Sequence, residues 1–143
     1  MSKIDDYGFT DFNIIREGSS EYSLEDGTIV RLRAFILKAI KDDSDLRLNE
    51  RTFAASFSPP SMKGNFIPGI PLEDAVKKVK KENLNYETVS EEWNEYKLSS
   101  GEVIAVKAIL VGVSLTEIYD ENGDPIYGVQ IQTIHKITKP TMK

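Results

Sequence analysis

Arg31 and Arg33 are the residues best placed for chemistry in this chain. They alternate along an apolar–polar segment, so in an extended backbone the two positions share one face, about 6.5–7 Å apart. Arginine suits planar, two-pronged capture of a carboxylate or phosphate. The pair, together with Lys107, is the candidate site for an anion or an acidic partner segment. All five arginines (Arg16, Arg31, Arg33, Arg47 and Arg51) precede residue 52, and the second half uses only lysine. The structural alternative is a salt-bridged polar face, with Glu17 or Glu21 reaching the arginines across a hairpin.

Other groups carry weaker signals. Asp120-Glu-Asn-Gly-Asp124 resembles a fragment of a calcium loop, and Asp120, Asn122 and Asp124 would be its ligands. The later glutamate of such a loop is missing, and a solvated hairpin tip accounts for every residue. His135 could serve as a general base. No serine, cysteine or carboxylate motif accompanies it, so a structural or solvent-exposed histidine is expected. The Lys77–Lys81 run reads as a solvated helix face. Trp93, Tyr22 and Tyr96 could form a stacking platform for bases, although aromatics before hairpin turns commonly pack across strands. The sequence has no phosphate-cradling glycine loop, no GxSxG and no zinc ligand set. Neither catalysis nor a cofactor is expected.

Composition narrows the classes further. The 143 residues suit one domain with a core of its own. With no cysteine and one histidine, disulfides, thiolate metal sites and multi-histidine centres are excluded. Net charge is -5, which favours no general binding to nucleic acid. No apolar run approaches the roughly 20 residues of a membrane helix. The acidic start lacks a leader's apolar segment, so a cytoplasmic protein is expected.

The elements that must position these groups come in two sets. Laid on one another, Glu21–Leu37 and Glu95–Val111 match without a gap, residue n on residue n + 74. Glu21/Glu95, Tyr22/Tyr96, Leu24/Leu98, Gly27/Gly101 and Ala34/Ala108 are identical, and Ile15/Val89 and Glu17/Glu91 hold the same spacing. Each set reads as strand, glycine turn and long alternating strand. Val30, Leu32, Ala34 and Ile36 take one face, and Ile104, Val106, Ala108 and Leu110 are their counterparts. The far ends, Phe35 and Leu37 or Ile109 and Val111, are apolar on the other face too. That predicts strands buried on both faces, or covered by a second subunit. A third strand follows at Arg51–Phe57, after a long connection over 41–50, and at Ile126–Ile137. The second is turned by Asn122-Gly123, which sets Asp120 opposite Pro125.

The sequence therefore predicts a mainly β single domain over 1–143. Two three-stranded antiparallel units, about 12–57 and 86–137, form a small barrel or sandwich. A proline-rich segment and one helix, about 72–83, join them. Leu72, Ala75, Val76 and Val79 give that helix its apolar stripe. The expected function is a non-catalytic protein-binding or assembly module, with a protein partner or self-association favoured over nucleic acid. The alternatives are a nucleic-acid-binding barrel of the oligonucleotide-binding type and a barrel holding a small ligand.

Overall fold

Apolar–polar alternation drives the long strands. In the computed structural model, which describes residues 2–43 and 45–140, Ile29–Asp42 (β3) buries Val30, Leu32, Ala34 and Ile36 on one face. Val103–Tyr119 (β8) buries Ile104, Val106, Ala108 and Leu110 likewise. Each is entered from a short strand through a glycine turn: Ser20–Leu24 (β2) through Gly27, and Asn94–Leu98 (β7) through Gly101. Both glycines have positive φ, 90° and 105°, and donate to Leu24 and Leu98 at 3.0 and 2.9 Å. A side chain would strain the backbone at either position.

Two antiparallel sheets result, and among the described residues no closed barrel forms. The first sheet runs β4 (Asp45–Phe57), β3, β2, β6 (Tyr86–Glu91). The second runs β1 (Phe12–Arg16), β7, β8, with β9 (Pro125–Thr138) also on β8 and the short β5 (Val79–Lys81) at its far end. One buried cluster draws on both sheets. Among the described residues, no helix is long and apolar enough to cross a membrane.

Strands β1 and β6 cross over, each pairing in the sheet built around the other half of the chain. Phe12 faces Leu98 and Ile14 faces Tyr96; a bulge follows before Arg16 meets Glu95. Tyr86 faces Leu24 and Thr88 faces Tyr22; a bulge follows before Ser90 meets Glu21. The rings of Phe12 and Tyr96 meet edge-on at 5.3 Å, those of Tyr86 and Tyr22 at 5.6 Å. Between the sheets, the Leu110 N–H donates to the Tyr22 hydroxyl at 3.1 Å and the Ile36 N–H to the Tyr96 hydroxyl at 3.3 Å. Both amides lie beside bulges that interrupt the ladder, at Leu37 and Val111.

Four expectations change in the structure. The helix over 72–83 shrinks to one turn, Leu72–Ala75 (α2), and a second single turn forms at Lys3–Asp6 (α1). A helix of that length is marginal in water. Val79–Lys81 pairs instead with β8, and Leu72 stays 66% exposed. The long connection over 41–50 is nearly all strand, with Asp42 paired to Asp45, because Leu46 and Leu48 alternate and pack against the core. At the second hairpin, Gly123 rather than the Asn122-Gly123 pair takes the left-handed position. Its N–H donates to the Asp120 carbonyl at 2.9 Å, and Tyr119, not Asp120, faces Pro125. Finally, Leu37 and Val111 are 56% and 50% exposed, since each is the extra residue of a bulge.

Buried phenols make the fold alkali-sensitive. Burial and the hydrogen bond to Glu91 push the Tyr22 hydroxyl up to about 12, and burial and the bond to Asp26 do the same for Tyr127. Their folded values lie above the ordinary 10, so the stability they contribute is complete below pH 10 and lost as pH rises toward 12. Circular dichroism recorded beside phenolate absorbance is expected to show structure lost over that interval, together with tyrosine ionisation. Complete tyrosine ionisation near the ordinary value, with the spectrum unchanged, would contradict this.

Candidate functional site: the outer face of the first sheet

The alternation that buries Val30, Leu32 and Ala34 turns Ile29, Arg31, Arg33 and Phe35 outward. Register with β4 sets Phe57 opposite Ile29, Ala55 opposite Arg31, Phe53 opposite Arg33 and Arg51 opposite Phe35. The Arg31 guanidinium lies 5.1 Å from the Phe57 ring centre. Phe35 and Phe53 stack on the diagonal, 5.7 Å apart with planes 26° from parallel. Phe53, Phe57 and Ile29 remain 59%, 50% and 41% exposed. This face borders a groove of about 450 Å³ between the sheets, lined by Phe12, Ile14, Arg33, Phe35 and Leu37.

Both arginines have partners. Arg31 Nε meets Glu21 Oε1 at 2.8 Å, and Arg33 forms an ion pair with Glu17. Exposed pairs of this kind are worth about 0–1 kcal/mol, and an exposed cation–π contact about 0.5–1 kcal/mol. These contacts orient the guanidiniums more than they stabilise the fold.

Lys107 does not join them. It lies on the outer face of the second sheet, with its ammonium 4.6 Å from the Trp93 ring centre. Where Arg31 stands in the first sheet, the second has Ala105, which is 8% exposed. The stacking platform also changes: Tyr22 and Tyr96 are buried in the core, and the exposed aromatics of the sheets' outer faces are Phe53 and Phe57. A signal for these two lies in the sequence, since Phe53 and Phe57 share a strand face. Only the register with β3 shows that this face points outward.

The remaining candidates have partners within the fold. Asp120 spends one carboxylate oxygen on the Asn122 and Asp124 amides, both at 2.9 Å. The Lys63 ammonium holds Asp124 Oδ1 and the Asn122 carbonyl, each at 2.9 Å. A lysine thus supplies the positive charge that a calcium ion would bring. Among the described residues, no three carboxylate, histidine or cysteine side chains are grouped to hold a metal. His135 bonds Glu50, and Thr52 meets Thr133 at 3.3 Å, so the two rungs link β4 of the first sheet to β9 of the second. Lys81 pairs with Glu25 at 2.9 Å.

No protein-family model matches the chain, and no similar curated protein or solved structure is found.

Proposed function

We propose that the chain is a non-catalytic protein-binding module that docks through the outer face of its first sheet. The observation that carries this reading is the exposed apolar surface of Ile29, Phe53 and Phe57 beside two arginines. Soluble proteins rarely leave contiguous apolar surface uncovered without a use for it, and aromatic residues with arginine are typical of interface centres. Nucleic acid is disfavoured, because Glu17 and Glu21 neutralise the two arginines and Lys107 faces the other way. The face carries both charge signs around its aromatics, so it complements a second copy of itself. Self-association is therefore the simplest form of this function. We also propose that the module arose by duplication of one four-stranded unit, each copy lending its first strand to the other's sheet. The matched registers, bulges and tyrosine hydrogen bonds support that origin.

Sedimentation equilibrium tests the docking face. The wild-type chain is expected to associate at high micromolar concentration, and Phe53→Ser/Phe57→Ser to stay monomeric with an unchanged circular dichroism spectrum. A monomeric wild type that binds single-stranded oligonucleotides, with affinity falling steeply in salt, would replace this reading with the nucleic-acid one.

A further inference from the structure

The two glycine turns differ at one buried position. Next to Gly27 the buried side chain is Thr28, and its needs are met: Oγ1 lies 2.8 Å from the Tyr127 hydroxyl and 3.1 Å from Ser58 Oγ. The Tyr127 hydroxyl in turn donates to Asp26 at 2.6 Å. Pro59 packs over the turn. Next to Gly101 the position is Glu102, 5% exposed, and Pro140 packs over that turn in the same way. Leu46, paired with Lys41, stands where Tyr127, paired with Leu115, stands at the other site. Leucine is smaller than tyrosine and brings no hydroxyl.

Two consequences appear together. A cleft of about 330 Å³ remains, with Leu46, Ile137 and Pro140 among its walls and Lys41, Asp43 and Asp45 also lining it. Glu102 lines the same cleft, and its Oε1 is buried without a hydrogen-bond partner among the described residues. The other oxygen is used: Oε2 accepts from Lys41 Nζ and Ser100 Oγ, both at 3.1 Å. Burial by itself would raise the Glu102 carboxyl, but the bonds from Lys41 and Ser100 outweigh it and hold the group below the ordinary carboxylate value. The side chain is thus an anion at neutral pH with one oxygen unmet, a costly arrangement for a buried group. With the two aspartates, the acids lining the cleft outnumber Lys41 and Lys139 by one. No three candidate metal ligands gather among the described residues, and an N–H donor would meet the unpaired oxygen.

We propose that this cleft binds a small alkylammonium or guanidinium group, whose N–H donors meet Glu102 Oε1 and whose apolar stem lies along Leu46, Ile137 and Pro140. The inference is independent of the docking face. A free amine and an arginine or lysine side chain share this chemistry.

The test is amide chemical-shift titration of the full chain with agmatine, butylammonium, N-acetylarginine amide and, as the uncharged control, butanol. Saturable shifts confined to Lys41, Leu46, Ser100 and Glu102 are expected with the charged probes and not with butanol. Tighter binding of agmatine would assign the site to a free cation, and tighter binding of the blocked arginine to a peptide side chain. Glu102→Gln is expected to weaken the tighter probe by about tenfold or more. Leu46→Tyr restores the other site's hydroxyl and fills the cleft. It is expected to abolish binding and raise the melting temperature, and it decides the matter if the glutamine variant does not fold. The proposal is overturned if no charged probe gives saturable shifts, if butanol binds as well as butylammonium, or if Leu46→Tyr binds like the wild type.

Discussion

Ile104→Ala and Leu110→Ala are each expected to lower the free energy of unfolding by about 2–5 kcal/mol, the range for truncating buried aliphatic side chains. Both lie on the inner face of β8 at 0% and 3% exposure, packed among residues of both sheets. Truncation removes methylene contacts and leaves a void that neither sheet can close, because the opposing backbone is fixed by its own ladder. Phe53→Ser on the outer face removes more atoms yet is expected to cost far less, since Phe53 is 59% exposed and surface substitutions commonly stay within about 0.5 kcal/mol. Urea denaturation of the three variants measures the contrast. Losses below about 1 kcal/mol at both inner positions would show that the wrong face has been assigned to the core.

Cutting the chain between Ile67 and Pro68 is expected to leave two fragments that are each unfolded alone and that fold on mixing, one to one. The reason is the exchange of strands: among the described residues β1 pairs only with β7, and β6 only with β2. Either fragment alone would hold one strand, β1 or β6, without its partner and a sheet with its apolar face in water. The Tyr22 and Tyr96 hydroxyls would lose the amides of Leu110 and Ile36, which lie in the other fragment. Far-ultraviolet circular dichroism of each fragment and of the mixture reads the result. A fragment that unfolds cooperatively alone, with a native-like spectrum, would contradict interdependence of the halves.

Much of this was legible in the sequence where a local rule governs. Period-two alternation placed the inner faces of β3 and β8, and the glycines marked turns whose backbone excludes side chains. What stayed hidden depends on contacts between distant segments. The crossing of β1 and β6 left only the faint match of Ile15 with Val89 and Glu17 with Glu91. The stripe of Leu72, Ala75, Val76 and Val79 fits a helix, and only a free stretch of β8 reveals that Val79 has a better partner. The exposed end of each long strand could not be foreseen, because a bulge shifts the alternation by one residue without marking the sequence. Arg31 and Arg33 were placed correctly on one face by spacing alone. The separation of Lys107 needed the topology, because the two long strands belong to different sheets.

The most direct test of the docking face is an amide-spectrum dilution series on the wild-type chain. As concentration rises, shifts and broadening are expected along Ile29–Phe35 and Phe53–Phe57, and to vanish in Phe53→Ser/Phe57→Ser. Changes gathered instead around Trp93 and Lys107, or a spectrum that does not depend on concentration, would contradict association through the first sheet.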